Sequence, residues 1–362
     1  MYDNHKITRW LITNASAFDI SVIGVMYAIK QREAFSMDKV GIKAIAEKSG
    51  VSLTTVSRYF NKPELLSQRT KDKIQTVIQE LNYSQDNVAR ILVTGKSNLV
   101  GVIFPQLHLS FYTELLNQLI QFGEEKDYSF IVYTSRDTKE EELNVIDMLK
   151  SYRVKGIILL SHILDSENIE KLDVPIISIE RAGGDFCQIN NDNYTGGKLA
   201  GEKLMADGCE VLIHINNGYY DDWPSFKRIV GFEFSVKDAL HETIIREELT
   251  DPYSEEASTT MSVVLDNLLE KYPNKKMGVF CSNDDIANML QRDCIRKGIK
   301  IPEELEIIGY DNSPVSDNAI YPITSIDQNI PLMAEIAVNS LDTYIPHENV
   351  VAAKLIEKGT TL

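Results

Sequence analysis

Residues 41–60 read GIKAIAEKSGVSLTTVSRYF, and they decide the organisation of the first domain. Apolar residues recur at helical spacing on both sides of Gly50; they are Ile42, Ile45, Ala46, Val51 and Val56. Glycine tolerates the positive φ of a sharp turn, and Ser52 stands where a helix N-cap belongs. The stretch therefore predicts two short amphipathic helices joined by a tight turn.

The second of these helices carries polar groups around one apolar residue, Val56. Its other positions are Leu53, Thr54, Thr55, Ser57 and Arg58. A helix inside a core would not present so many hydroxyl groups and a guanidinium group. A helix lying in the major groove of DNA would present them.

Residues 39–97 resemble the DNA-binding headpiece of the LacI/GalR family of bacterial transcription regulators. The motifs that carry the resemblance are Ile42-x-x-Ile45-Ala46, Gly50-Val51-Ser52, Thr55-Val56-Ser57-Arg58, Asn61, Leu81-Asn82-Tyr83 and Val88-Ala89-Arg90-Ile91-Leu92. The resemblance implies a helix-turn-helix DNA-binding domain over residues 38–84, followed by a hinge helix and linker over residues 85–97. An unrelated three-helix module would not be expected to carry the hinge as well.

The resemblance also implies roles for individual residues. Leu53 and Thr54 correspond to base-reading positions, and Arg58 can pair bidentately with a guanine edge. A second group is expected to bind phosphates and fix the register on the DNA; it consists of Thr55, Ser57, Asn61 and Tyr83.

In the hinge, Leu92 matches the leucine of the family that enters the minor groove and opens a base step. Ala89 is small enough for the close approach of a partner hinge. The alternative for Leu92 is a buried linker residue. So short a helix is not stable alone in water, so this hinge needs a partner hinge and DNA to fold against.

The charge distribution separates the headpiece from the rest of the chain. The whole sequence has a net charge of −16. Residues 38–97 contain ten basic and six acidic residues, whereas residues 98–362 contain 23 basic and 44 acidic residues. A basic headpiece on an acidic body concentrates the attraction for phosphates in one place.

Other features exclude several classes of function. The four cysteines have no CxxC spacing and are interpreted as reduced residues of a cytoplasmic protein. No apolar run reaches the length of a membrane span. No metal-binding histidine spacing, GxSxG motif or P-loop occurs, so we expect no catalytic site, metal or cofactor.

Residues 1–37 form an atypical N-terminal extension. Family members begin a few residues before the first headpiece helix, and Met37 stands at that point. Two interpretations stay open: translation starts at Met37 and the upstream segment is a start-site artefact, or the extension is real.

Residues 98–362 alternate between strand and helix patterns. Leu99–Phe104 is a continuous apolar run, as a strand buried on both faces requires. Further along, helices are predicted over residues 139–151 and 225–241. Two successive series of this kind predict an α/β domain of two doubly wound lobes with mostly parallel sheets, whose ligand binds at the carboxyl ends of the strands.

This second region resembles the periplasmic-binding-protein-like effector domain of the same family. The resemblance includes Val174-Pro175-Ile176, Asn191-Asp192-Asn193-Tyr194-x-Gly196, Ser282-Asn283-Asp284-Asp285-x-Ala287 and Gly309-Tyr310-Asp311. It implies that the chain crosses between the lobes near residues 185, 315 and 345. The family usually has Asp where this chain has Lys155, which changes the expected local salt bridges.

The resemblance, together with positions at strand ends, identifies candidate effector-binding residues. Arg228 matches the main effector-contacting arginine of the family, and Asp284 matches its acidic hydroxyl acceptor, on the facing wall of the cleft. Trp223 is either a stacking platform or loop packing, and Asp192 is either a ligand contact or a helix cap. The remaining candidates are Phe111, Tyr112 and Arg181.

These observations predict a cytoplasmic repressor that binds a pseudo-palindromic operator as a homodimer. Its effector is expected to be a small neutral sugar, acting as inducer or as corepressor. No heptad pattern at the end of the chain supports a coiled-coil tetramer. The alternatives are a sugar-binding receptor without DNA function and an enzyme with an accessory DNA-binding arm.

Overall fold

A computed structural model describes residues 41–83, 97–135, 138–181, 183–218 and 223–362, apart from the side chain of Asn61. The predictions for the N-terminal extension, for the hinge and for Ala89 and Leu92 therefore lie outside the described residues. The chain divides into two compact units between Val93 and Thr94.

The first unit contains the predicted helix-turn-helix. Its helices are α1 (Ile42–Ser49), α2 (Leu53–Asn61) and α3 (Gln68–Glu80). Gly50 has φ 62° and ends α1, while the Ser52 side chain accepts a hydrogen bond from the backbone N–H of Thr55 and caps α2. The three helices enclose a small core of Ile45, Ala46, Val56, Ile74 and Val77.

The second unit consists of two lobes, each built on a six-stranded sheet. Lobe A contains the strands β1 (Leu99–Phe104), β2 (Ser129–Thr134), β3 (Ile157–Leu159), β4 (Ile176–Ile179), β5 (Cys187–Asn191) and β11 (Glu348–Val351). Its helices are α4 (Ser110–Glu124), α5 (Lys139–Ser151), α6 (Ser166–Glu170) and α12 (Ile330–Ser340). The strand order is β11-β5-β4-β3-β1-β2, and all pairs are parallel.

Lobe B repeats this plan. Its strands are β6 (Val211–Asn216), β7 (His241–Ile245), β8 (Met277–Cys281), β9 (Leu305–Asp311), β10 (Thr324–Asp327) and β12 (Lys354–Ile356). Its helices are α7 (Asn193–Ala206), α8 (Phe226–Val236), α9 (Glu255–Lys271), α10 (Asp284–Arg296) and α11 (Pro314–Asn318). The order is β12-β10-β9-β8-β6-β7, in which only the pair of β12 with β10 is antiparallel.

The three crossings between the lobes lie later in the chain than the sequence predicted. The first crossing follows Asn191 instead of lying near residue 185. The second is at residues 328–329 instead of near 315, and the third is at residues 352–353 instead of near 345. The reason is that β5 and β10 are short and rich in polar residues, so the apolar pattern did not reveal them. Each adds a strand before its crossing.

Two glycines in lobe B set the spacing of α7 and α8. A Cβ atom on Gly197 would lie 2.0 Å from the carbonyl oxygen of Arg228, and one on Gly231 would lie 2.0 Å from that of Tyr194. Both obstacles are backbone atoms, which cannot rotate away. The close approach fixes the first turn of α8, where Arg228 lies.

Lys155, the departure from the family pattern, belongs to an ion cluster on lobe A. Its Nζ lies 2.8 Å from Asp342 Oδ1, and Lys126 Nζ lies 2.7 Å from Asp342 Oδ2. The Tyr128 hydroxyl also donates to Asp342. Hydrogen bonds from Lys126, Lys155 and Tyr128 hold the pKa of Asp342 well below its usual range. Asp342 therefore supplies the partner that Lys155 needs.

Candidate functional site

The exposed side of α2 is the candidate DNA-binding surface. Leu53, Thr54 and Arg58 are exposed, while Val56 is buried in the headpiece core. Thr55 and Ser57 are half-buried. The predicted base-reading residues of α2 are thus exposed to solvent, while Val56 packs the helix against the headpiece core.

Tyr83 is placed differently from an exposed phosphate ligand. Its ring is half-buried, with its centroid 5.9 Å from that of Phe60. Asn61 lies in the last turn of α2. The phosphate-binding roles of both residues stay predictions.

A cavity of about 140 Å³ lies between the lobes, where the carboxyl ends of both sheets meet. Lobe A contributes Leu109, Phe111, Tyr112, Leu160, His162, Ile179 and Glu180. Lobe B contributes Asn216, Asn217, Trp223, Ser225, Arg228, Ser282, Asn283 and Asp311, and Gln328 comes from the second crossing. This is the position in which doubly wound α/β domains bind their ligands.

Arg228 is the fixed cation of the cavity. Its Nε donates to Asn193 Oδ1 at 2.6 Å, and its Nη1 donates to the Ser282 carbonyl at 2.8 Å. Its Cζ lies 3.6 Å from the centroid of the Tyr310 ring. These contacts hold the guanidinium group in one orientation before any ligand enters.

Two carboxyl groups line the cavity near this cation. Glu180 Oε2 lies 3.9 Å from Arg228 Nη2, an ion pair that joins the lobes. Asp311 has φ 108° and accepts a hydrogen bond from the Gln328 amide. Burial raises the pKa of both Glu180 and Asp311, against the opposing charge of Arg228. A carboxyl group keeps an oxygen that accepts hydrogen bonds in either protonation state, so both groups can serve as acceptors for a ligand.

Aromatic rings form the apolar part of the lining. The Phe111 and Tyr112 rings meet edge to face on lobe A, with centroids 5.3 Å apart. Trp223 of lobe B stacks on His162 of lobe A at 4.0 Å. Burial, with the charge of Arg181 adding to it, lowers the pKa of His162 to about 3. A neutral imidazole therefore covers one face of the indole at physiological pH.

The prediction that Asp284 faces Arg228 across the cleft is wrong. Asp284 is fully buried at the start of α10, outside the cavity lining. Its Oδ2 accepts hydrogen bonds from the N–H and Oγ of Ser313, and its Oδ1 accepts one from Ser325 Oγ. These three bonds tie α10 to the ends of β9 and β10. The carboxylate is therefore a structural group of lobe B.

Two further candidates lie beside the cavity without lining it. Arg181 is buried, and its guanidinium donates to the carbonyl oxygen of Ser161. The Asp192 side chain accepts a hydrogen bond from the backbone N–H of Thr195 at 3.1 Å and caps α7. The structure thus favours the helix cap for Asp192 and makes Arg181 a neighbour of His162.

The cavity also contains residues that sequence reasoning did not select. They are His162, Asn216, Asn217, Ser282, Asn283, Asp311 and Gln328. Asn216, Ser282 and Asp311 each end or directly follow a parallel strand, as Glu180 does. Selecting every polar residue at a carboxyl strand end would have found these three as well.

Within the described ranges, no group of three or more His, Cys, Asp or Glu side chains is placed to hold a metal ion. A search of the same residues finds no helix with both the length and the apolar character to cross a membrane.

Comparisons with known proteins match both units. A model of bacterial regulatory proteins of the lacI family matches residues 41–86, and a periplasmic binding protein-like domain matches residues 202–362. The sucrose operon repressor of Streptococcus mutans is 32% identical over 312 residues, covering 84% of this chain and 92% of the relative. The ribose operon repressor of Halalkalibacterium halodurans is 28% identical over 330 residues, covering 88% and 96%.

Among solved structures, a lac repressor dimer bound to operator and the anti-inducer ONPF has the same fold. Its TM-score is 0.75 at 22% identity, and the match covers 90% of this chain and all of that one. The family models and the sucrose operon repressor match the helix-turn-helix and the two-lobed domain in a single chain. The chain therefore belongs to the lacI family of bacterial regulatory proteins.

Proposed function

We propose that this regulator is a cytoplasmic repressor that binds a pseudo-palindromic operator as a homodimer and responds to a small neutral sugar. The observation that carries the sugar assignment is the cavity, in which a fixed guanidinium group, two carboxyl groups and several aromatic rings converge. The names of its sucrose and ribose operon relatives agree with this ligand class.

DNA recognition rests on α2. Arg58 and Thr54 are exposed and lie one helical turn apart, so both can face the same groove. The Ser52 cap fixes the start of the helix, and Val56 anchors its inner side in the core. The residues of α2 are thus held rigidly enough for direct base contacts. Homodimerisation gives two such helices for the two half-sites.

The test of DNA recognition is the substitution Arg58→Ala. The probe is an operator duplex selected from a random library with the native chain. Loss of a bidentate guanine contact is expected to weaken operator binding at least about tenfold per half-site, with little change for random DNA. Fluorescence anisotropy at fixed salt measures both affinities.

Arg69→Ala is the matched control, because Arg69 is an exposed arginine on α3 and lies outside the two helices α1 and α2. It removes the same charge and should change binding to both DNAs alike. Equal losses on the two DNAs for Arg58→Ala would contradict base reading. Failure of the native chain to select any duplex would favour a receptor without DNA function.

The ligand class follows from the chemistry of the lining. Arg228 is a forked donor, and Glu180 and Asp311 are acceptors, which suits hydroxyl groups that both give and accept hydrogen bonds. Phe111 and Tyr112 supply an apolar surface for the C–H face of a ring. Because Glu180 already pairs with Arg228, a phosphate in this cavity would have to compete with that carboxyl group for the guanidinium group.

A calorimetric panel of sucrose, ribose, glucose 6-phosphate and adenosine tests this assignment on the native chain. We expect heat of binding with a neutral sugar and none with the phosphate. Asn217→Ala should weaken that binding about tenfold or less, since it removes one polar contact from the lining. Arg228→Lys should weaken it further, but it also removes the bonds to Asn193 and Ser282, so circular dichroism must verify its fold.

Arg246→Lys serves as the control for Arg228→Lys, because Arg246 is an exposed arginine of lobe B outside the cavity. Binding of adenosine or glucose 6-phosphate in place of any neutral sugar would overturn the ligand class. Release of a chemically altered sugar would favour an enzyme.

A further inference from the structure

A second contact between the lobes lies beside the ligand cavity. The carboxylate of Asp285 in lobe B accepts hydrogen bonds from the backbone N–H of Ser110 at 3.1 Å and from Ser110 Oγ at 2.8 Å. Ser110 belongs to lobe A. The Tyr253 hydroxyl of lobe B donates to the same carboxylate. Asp285 is only 4% exposed, whereas Ser110 is half-buried and Tyr253 is 60% exposed, so the carboxylate lies at the inner end of these bonds.

The position of this contact connects it to both cavity walls. Ser110 is the first residue of α4 and directly precedes Phe111 and Tyr112, which line the cavity. Asp285 lies in the first turn of α10, two residues after Asn283, which lines the opposite wall. Relative motion of the lobes cannot widen the cavity here without breaking the bonds to Asp285.

We propose that Ser110 and Asp285 form an inter-lobe latch that holds the cavity closed, with Tyr253 orienting the Asp285 carboxylate from within lobe B. Asp285 is then a positioning residue, which sets ligand affinity although it lies outside the cavity lining. The predicted effect of Asp285 on ligand affinity rests on the proposed function, whereas the contribution of the latch to lobe closure does not.

The physical basis is that the bonds between the lobes exist only in the closed arrangement. A negative carboxylate at the N-terminus of α4 also meets the positive end of the helix dipole. Hydrogen bonds to a buried charged group are stronger than neutral ones. An interaction present in one state alone shifts the population toward that state, and a ligand that needs the closed cavity gains affinity in proportion.

The structure supplies its own reporter of closure. Trp223 of lobe B stacks on His162 of lobe A, so separation of the lobes must unstack the indole. The sequence has two tryptophans, so Trp10→Phe leaves Trp223 as the only one. Acrylamide quenching of Trp223 fluorescence in the full-length chain, without added sugar, then measures how far the lobes are open.

In that background, Asp285→Asn and Asp285→Ala are expected to raise the quenching constant of Trp223. Ser110→Ala and Tyr253→Phe each remove one hydroxyl group, and both should raise it less. Asp266→Asn is the matched control, because Asp266 pairs with Lys297 on the surface of lobe B alone. It should leave quenching unchanged. Unchanged quenching in a folded Asp285→Ala variant would overturn the latch.

The second readout is sugar affinity, measured by calorimetry with sucrose and ribose as probes. For whichever of these two binds the native chain, Asp285→Asn should weaken binding about tenfold, equivalent to about 1.4 kcal/mol. The double variant with Ser110→Ala should lose less than the sum of the single losses, because both changes break the same bonds. Fully additive losses would show that the two residues act separately.

The two proposals fail in different ways. If neither sugar binds the native chain, the sugar assignment fails. The acrylamide quenching of Trp223 in the variants then still tests whether the latch holds the lobes closed. If the Asp285 variants do not fold, Ser110→Ala and Tyr253→Phe decide it, and normal quenching in both would overturn it.

Discussion

The two lobes have the same strand order but distribute their polar groups differently. Lobe A lines the cavity mainly with apolar and aromatic side chains, to which it adds His162 and Glu180, and one of its ion clusters lies on the surface around Asp342. Lobe B lines the cavity mainly with amides, hydroxyls, Asp311 and Arg228, to which it adds Trp223. Lobe B also buries more Asp, Glu, His and Arg side chains away from the cavity than lobe A does: it buries His214, Asp284, Asp285, Asp293 and Glu306, whereas lobe A buries Glu142 and Arg181.

The difference teaches that topology places a site without deciding its chemistry. Both sheets deliver their strand ends to the same cavity, yet one wall supplies most of the apolar surface and the other supplies most of the hydrogen-bonding groups. Buried polar groups need complete sets of partners, so lobe B should tolerate substitutions less well than lobe A.

The largest expected effect is that of Gly197→Ala in lobe B. The new methyl group meets the backbone oxygen of Arg228, so α7 and α8 must separate. We expect a loss of about 3 kcal/mol in the free energy of unfolding, measured by urea titration with circular dichroism. Gly201→Ala is the milder comparison in the same helix, because its obstacles are side-chain atoms, the Ser235 hydroxyl at 2.1 Å and Val236 Cγ1 at 2.9 Å, rather than backbone atoms. Equal losses would show that the helix spacing is adjustable.

The next effect is that of Lys276→Met, which leaves Glu306 without its partner. Lys276 Nζ lies 2.6 Å from the fully buried Glu306 carboxyl group. We expect a loss of about 2.5 kcal/mol at pH 8, since Lys276 itself is partly exposed. Burial raises the pKa of Glu306, so its proton is retained in the folded state where the unfolded chain has lost it. The loss should therefore shrink at pH 5.

Lys275→Met is the control for this substitution. Its partner Glu210 is 48% exposed, and the pair lies on the same surface of lobe B. A loss as large as that of Lys276→Met would remove the distinction between buried and exposed pairs.

A third test uses His214, which is fully buried in lobe B and stacks on Phe280. Burial lowers the pKa of His214 to about 3. Below its ordinary pKa of about 6.5, the unfolded chain binds a proton that the folded chain does not. The free energy of unfolding therefore falls with decreasing pH, by about 2 kcal/mol at pH 5 from this residue alone.

His214→Asn should remove this share of the acid dependence, and the Asn amide can still donate to the Phe280 carbonyl that His214 Nδ1 contacts. Urea titrations at pH 7 and pH 5 measure the difference. Val279→Ala, a change in the neighbouring strand without a titrating group, should lower both values alike. An unchanged acid dependence in His214→Asn would contradict the lowered pKa.

The smallest expected effect is that of Lys155→Met in lobe A. The Lys155 and Asp342 side chains are 29% and 41% exposed, so solvent screens their pairing. We expect a loss below about 1 kcal/mol, and less in 0.5 M salt than in 0.05 M salt. If Lys155→Met lowered the free energy of unfolding more than Lys276→Met does, the exposed ion pair of lobe A would matter more than the buried pair of lobe B, contrary to this comparison.

Strong local patterns made most of the fold predictable. The apolar run of β1 and the helix over residues 139–151 have the predicted bounds. The helix predicted over residues 225–241 ends at Val236, because the sequence does not show where the chain turns into β7. Short polar strands such as β5 gain their stability from neighbours far away in the chain, and no local pattern records those neighbours.

The site was predictable in position but less so in membership. Phe111, Tyr112, Trp223 and Arg228 meet in one cavity, as strand ends and family correspondence suggested. Asp284 was misplaced because a carboxylate at a strand end looks the same in sequence whether it faces a ligand or Ser313. Which of two adjacent side chains turns inward depends on packing between distant segments.

The third crossing has a consequence for the synthesis of the protein. The edge strands β11 and β12 belong to different sheets, yet only residues 352 and 353 separate them. Until the ribosome has added residue 351, β5 lacks its neighbour β11, and until it has added residue 356, β10 lacks its neighbour β12. Both lobes therefore finish almost together, and a stop codon after residue 347 damages both rather than leaving one intact.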